Sequence, residues 1–190
     1  MKPLAVVGVL CAAVAVAAES GPAETYKVDP VHSTVLFRAK HAGASYTWGR
    51  FNDPSGSFVL DPADPTRCRF SGEIQVANID THNEKRDAHL KSPDFFNAKQ
   101  YPTITFKSTS ARKGEGNVLQ VTGDLRMHGV TRSVTVPVEL TGTGEFPPGT
   151  KRAGLEATFV VKMSDFEIKG LPGTVSDEIK IIIAVEGVKQ

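Results

Sequence analysis

In the stretch RCRFSGEIQVAN, residues 67–78, Cys68, Phe70, Gly72, Ile74 and Val76 alternate with Arg67, Arg69, Ser71, Glu73, Gln75 and Ala77. A period of two sends successive side chains to opposite faces of a pleated strand, so one face here is apolar and the other wet. On a helix, the same spacing would scatter the apolar groups around the axis. The pattern recurs with Val35, Phe37 and Ala39; with Leu119, Val121, Leu125 and Met127; and with Val134, Val136, Val138 and Leu140. It returns with Leu155, Ala157, Phe159 and Val161, and again with Ile179, Ile181, Ile183 and Val185. These runs predict half-buried antiparallel strands. The segments between them, NDPSGS, DPADPT, RKGEGN, MHGVTR, GTGEFPPGTKRAG and KGLPGTVSDE, carry the Gly, Pro, Asn and Asp of turns.

Residues 82–100 are the exception, with the helix formers Glu84, Lys85, Arg86, Ala88, Leu90 and Lys91 interrupted by Pro93. One helical excursion in a meander of about eight strands leaves two architectures, a sandwich or a closed barrel. Length chooses between them. A strand from Arg67 to about Ile79 would span roughly 40 Å at ~3.3 Å per residue, long for a sandwich and suited to a tall barrel. A barrel of about eight strands has room for one small ligand.

The amino terminus reads differently. Lys2 precedes the uncharged run LAVVGVLCAAVAVAA, Leu4 to Ala18, which ends in small residues. This is the pattern of a secretory signal peptide over residues 1–18, with cleavage expected after Ala17 or Ala18. The run falls short of the ~20 residues of a comfortable membrane span, and Leu10 stands where a lipidated Cys11 would need a small residue before it. The expectation is a periplasmic or secreted protein, with residues 19–190 forming one domain. Without Lys2 the acidic and basic side chains balance, which favours neither nucleic acid nor an anionic membrane surface as a partner. Only Cys68 remains after processing, on the apolar side of its strand, where it reads as a buried, inert thiol.

Catalytic motifs are sparse. His32 and Ser33 are adjacent, so a strand would point them to opposite faces. There is no G-x-S-x-G elbow, no phosphate-cradling Gly-rich loop and no H-E-x-x-H. Asp29 and Pro30 before His32 suggest a turn leading into a strand, and His128 before Gly129 suggests a hairpin. In RDAHLKSPDFFNAKQYP, residues 86–102, Arg86 and His89 share a helical face, while Asp87 and His89 are two apart and would diverge. Two diverging ligands do not make a metal site, and none is assigned. Phe95, Phe96 and Tyr101 carry large apolar area that must pack on something, either as a lid or as an anchor against the wall.

Four segments in this order, YKVDPVHSTVLFRAKH (26–41), GRF (49–51), RDAHLKSPDFFNAKQYPTITF (86–106) and GDLRMHGVTRSV (123–134), resemble the YceI-like family of polyisoprenoid-binding proteins. The resemblance covers nearly the whole chain after the leader. It implies a single antiparallel lipocalin-like β-barrel with a short helical cap, usually periplasmic, that holds an isoprenoid or similar long-chain amphiphile. Its implied partners are a long-chain lipid and transient contact with a membrane. No cofactor is expected apart from the bound isoprenoid or quinone-like lipid itself, and the oligomeric state stays open, a homodimer included. Where the family tends toward R-x-D-F-G, this chain has MSDFEI, with Met163 and Glu167 in place of Arg and Gly.

The expected function is carriage, with no catalytic residue; the rival is an exported enzyme acting on a lipid or quinone-like substrate. Phe37, Phe70, Ile74, Val76, Phe95, Phe96 and Phe106 are the candidates for the apolar cavity. Arg38, His41, Arg86 and His89 are the candidates for the head group, because cationic and donor groups suit an anionic or carbonyl oxygen.

Overall fold

The computed structural model describes residues 22–190, so the expected leader and its cleavage site lie outside the described residues. Eleven strand segments and one α-helix follow in the order β1 (Glu24–Val28), β2 (Thr34–His41), β3 (Ser45–Phe51), β4 (Ser55–Leu60), β5 (Arg69–Gln75), β6 (Ile79–Asp80), α1 (Glu84–Leu90), β7 (Thr103–Lys113), β8 (Val118–Met127), β9 (Val130–Glu145), β10 (Lys151–Lys162) and β11 (Val175–Lys189). All neighbouring pairs are antiparallel. The ring β1–β4–β5–β7–β8–β9–β10–β11 closes through pairing of β1 with β11, from Tyr26 opposite Lys189 to Val28 opposite Gly187.

The eleven segments form eight staves. Beyond β1, the other half of β11 pairs with β2, from Ala184 opposite Thr34 to Val175 opposite His41. β1 and β2 are thus one stave, interrupted by a 3-10 turn at Pro30–His32. In the same way β3 continues into β4, and β5 into β6 across the 3-10 turn Val76–Asn78. The closed antiparallel barrel of about eight strands is the fold that the alternation and length predict.

The single strand expected from Arg67 to Ile79 is corrected in detail. It breaks after Gln75: the Val76 N–H still donates to Pro102 O at 2.8 Å, in register with β7, but Pro102 has no N–H to return the bond, and the chain enters a 3-10 turn at Val76. β5 stays with β7 only as far as Gln75 opposite Thr103, whereas β6 pairs with β3 alone. The wall therefore parts at one end of the barrel, and residues 81–102 occupy the chain between the two lips.

That excursion is less helical than its composition suggests. Asn83 caps α1 by accepting the Arg86 N–H at 2.9 Å. The helix ends at Leu90, because Pro93 offers no N–H and disfavours helical geometry at Ser92. Tight turns carry the chain onward, with the Phe95 and Asn97 N–H groups both donating to Ser92 O. The His128–Gly129 hairpin appears as expected, with φ of +53° and +80°, the backbone of a two-residue turn between β8 and β9.

Candidate functional site

The inward positions of the staves converge on a cavity of about 270 Å³. Its wall includes Phe37 from β2, Phe70 and Ile74 from β5, Phe106 from β7, Leu125 and Met127 from β8, Phe159 and Val161 from β10, and Ile179, Ile181 and Ile183 from β11. Glu73 and Glu156 also border it, but both are exposed and occupy outward positions of their strands. A lumen of this composition cannot hydrogen-bond water well and favours hydrocarbon.

Glycine–aromatic pairs keep the lumen hollow. A Cβ on Gly49 would lie 2.3 Å from Phe37 Cζ, and one on Gly123 would lie 2.5 Å from Phe106 Cζ. Each ring therefore rests where its neighbour lacks a side chain, instead of reaching across the barrel. Gly72 is different: a Cβ there meets nothing closer than Ser55 O at 4.0 Å, so a side chain at this inward position would extend into the cavity.

The two ends differ. Away from the excursion, Tyr26, Phe58 and Phe70 stack with centroids 5.1 and 6.5 Å apart within a packed cluster that also holds Leu60, Cys68 and Leu155. Cys68 is buried, and that burial pushes its thiol pKa up, in keeping with an inert side chain. At the excursion end, Leu90, Phe95, Phe96, Met163, Ile168 and Val175 complete the cavity wall. Phe96 meets Phe51 edge to face at 5.7 Å, and the Gly170 N–H donates to Asp94 O at 3.0 Å, tying the excursion to the loop after β10.

Six of the seven apolar candidates, Phe37, Phe70, Ile74, Phe95, Phe96 and Phe106, border this cavity. Val76 does not. Its position in the 3-10 turn after β5 takes it out of the alternation and packs it, 1% exposed, in the surrounding core. Tyr101 is an anchor and not part of the cavity wall: its ring packs edge-on against His128 at 4.8 Å, over the side-chain-free Gly129.

The four polar candidates are not gathered at one point, and none borders the lumen. Arg86 donates to Thr81 Oγ1 and O at 2.8 and 2.6 Å, while Asp87 accepts from the Thr81 N–H, so these charges lock the start of α1. His89 pairs with Asp94 at 3.0 Å and packs edge-on against Phe95. His41 is exposed at the end of β2, opposite Val175. Arg38 is on the outer face, its guanidinium 4.1 Å from the Tyr46 ring centroid.

A separate ionic cluster sits at the β1–β2 turn. The ligand atoms of Asp29, His32 and Glu186 lie within 4.8 Å of one another. Arg152 already supplies a cation there, donating to Asp29 at 2.9 Å and also to Glu186. The His32 ring and Arg152 hold the Asp29 carboxyl down to about 2. His32 is thus hydrogen-bonded within its turn, as the Asp-Pro-x-His spacing suggests.

The lining residues not singled out as candidates, chiefly Phe51, Leu125, Phe159, Met163 and the β11 isoleucines, mostly lie on strands whose alternation is plain in the sequence. What the alternation lacks is depth along the barrel axis, which divides packed end from hollow end. Gly49, opposite Phe37, and Gly123, diagonal to Phe106, carry that information only once the register is known.

Comparison with known proteins places this architecture. The sequence profile of the YceI-like domain matches residues 26–187, nearly all of the described chain. The chain belongs to the YceI-like family. Protein YceI of Escherichia coli O157:H7 is 42% identical over 185 residues, covering 96% of both chains. The Campylobacter jejuni YCEI crystal structure superposes with a TM-score of 0.72 at 31% identity, covering 80% of this chain and 90% of that one. A polyisoprenoid binding domain from Saccharophagus degradans, implicated in plant cell wall breakdown, shares the fold with a TM-score of 0.66 at 16% identity, covering 87% and 98%. Against the family pattern expected from the sequence, Met163 adds a thioether to the cavity wall where an Arg was anticipated. Glu167 adopts φ +58°, a left-handed backbone suited to the Gly it replaces.

Proposed function

We propose that this protein is an exported carrier of a long-chain isoprenoid or similar amphiphile, with the hydrocarbon in the lumen and the polar head at the excursion end. The observation that carries the reading is the hollow, hydrocarbon-lined half of the barrel, closed at its far end by stacked rings. Family membership supports it, as does the description of the Saccharophagus domain as polyisoprenoid binding. Export rests on the leader pattern of residues 1–18.

The energetics suit exchange. Each CH₂ taken from water contributes roughly 0.8 kcal/mol, but the physiological competitor is a bilayer of equal apolarity. Moving a chain from one hydrocarbon environment to another leaves a small net difference, so the barrel can both load and unload. His41 and His89 are the polar candidates that fit a head at this end. Arg86 supports them by fixing the cap, and Arg38 faces elsewhere.

Displacement of a fluorescent long-chain probe by a polyprenol and by its phosphate tests the proposal. Both ligands should displace the probe from the wild-type chain. Gly72→Leu, which fills the lumen from an unobstructed position, should abolish displacement by both. His89→Ala should weaken the phosphate alone. Undiminished binding of both ligands to Gly72→Leu would place the site outside the lumen.

A further inference from the structure

The outward faces of β10, β11, β2 and β3 carry a second feature that lumen binding does not use. Register sets Val160 opposite Lys180, Lys180 opposite Arg38, and Arg38 opposite Trp48. The next row places Ile182 beside Leu36, and Lys40 stands opposite Tyr46. Val160, Tyr46 and Trp48 are 56%, 50% and 47% exposed, an unusual outlay of apolar surface on a sheet facing water. Arg38 lies over both rings, 4.1 Å from the Tyr46 centroid and 5.5 Å from that of Trp48, and its Nε is buried without a hydrogen-bond partner among the described residues.

The rows that hold the exposed rings carry cations alone. Arg38, Lys40 and Lys180 form no ion pair with any described residue. Of the nearest acids, Glu178 stands opposite Lys162 and Asp80 is bonded to Arg50, while Glu156 lies two rows away along β10, opposite Ala184. The overall balance of charge therefore conceals a local cationic patch.

We infer that this face docks the barrel on an anionic phospholipid bilayer. Trp and Tyr are suited to the headgroup level of a membrane, and unpaired Lys and Arg beside them attract lipid phosphates. A second copy of the chain fits less well, because a two-fold contact would set the same three cations against themselves. The reverse sides of β2 and β11 contribute Phe37, Ala39, Ile179 and Ile181 to the cavity, so docking here would bring the loading end within reach of the lipid. The inference extends the carrier reading, but its test does not depend on what fills the lumen.

Trp48 is the only tryptophan in the chain, so its fluorescence reports on this face. The purified protein is titrated with vesicles of phosphatidylcholine alone, and of phosphatidylcholine mixed with phosphatidylglycerol bearing brominated acyl chains. Emission should shift to the blue and be quenched on the mixed vesicles only, and the effect should fade at high salt. Replacing Arg38, Lys40 and Lys180 together with Gln should weaken binding on the order of 100-fold. Gly72→Leu protein should dock without loading, which separates failure of docking from failure of carriage. Unshifted Trp48 emission on the anionic vesicles would overturn the inference. So would sedimentation of the free protein as a dimer that Trp48→Ser dissociates, since the face would then be a subunit interface.

Discussion

At the residue scale, single positions set both stability and the hollow lumen. Glu167 has a left-handed backbone at an exposed site, and its neighbours in the 3-10 turn hold it there. Glu167→Gly should therefore raise stability by about 1 kcal/mol, measured as a rise in the urea midpoint with unchanged slope; a lower midpoint would show that the side chain contributes more than the backbone costs. Two depressed carboxylates govern the acid limb. Hydrogen bonds from Lys189, Tyr26 and Lys151 hold Glu24 down to about 2, and His32 and Arg152 do the same for Asp29. Carboxylates in the unfolded chain titrate near 4, roughly. Their contribution is present above that value and lost as pH falls toward 2. The thermal midpoint should thus drop between about pH 4 and pH 2, and a Glu24→Gln, Asp29→Asn double variant should show a shallower drop. An identical acid limb in the variant would assign the loss to other groups.

At the element scale, the excursion of residues 81–102 acts as a cap built on side-chain locks more than on helix. Arg86 and Asp87 hold Thr81, His89 holds Asp94, and Phe95 and Phe96 face the cavity. Replacing Phe95 and Phe96 with Ala should speed ligand release severalfold for neutral and anionic lipids alike, as followed by stopped-flow transfer to vesicles, because the lost closure is apolar. Unchanged release would leave the cap a structural filler. Much of this element is legible in the sequence: Pro93 marks the helix end, and the paired phenylalanines signal burial. The partners of Arg86 and His89 are not legible. They depend on turns that bring Thr81 and Asp94 back onto the helix, which spacing along a chain does not reveal. Val76 shows the same limit, since the alternation runs on through it, whereas the ladder ends there because the residue brought opposite is Pro102, which has no N–H to donate.

At the scale of the whole molecule, the closed antiparallel barrel follows from inward and outward alternation on strands too long for a compact sandwich. The register adds what composition cannot: it makes eight staves from eleven segments and brings three cations and two exposed rings to one outer face. It also makes the packed cluster the floor of the cavity, at the end away from the excursion. The barrel thus has a hollow end for hydrocarbon, and that is the central claim. Native mass spectrometry of the protein, re-isolated after incubation with vesicles containing a polyprenol, tests it most directly. The wild-type chain should carry one intact polyprenol per barrel and the Gly72→Leu chain none; an empty wild-type barrel, or equal loading of the two, would contradict the claim.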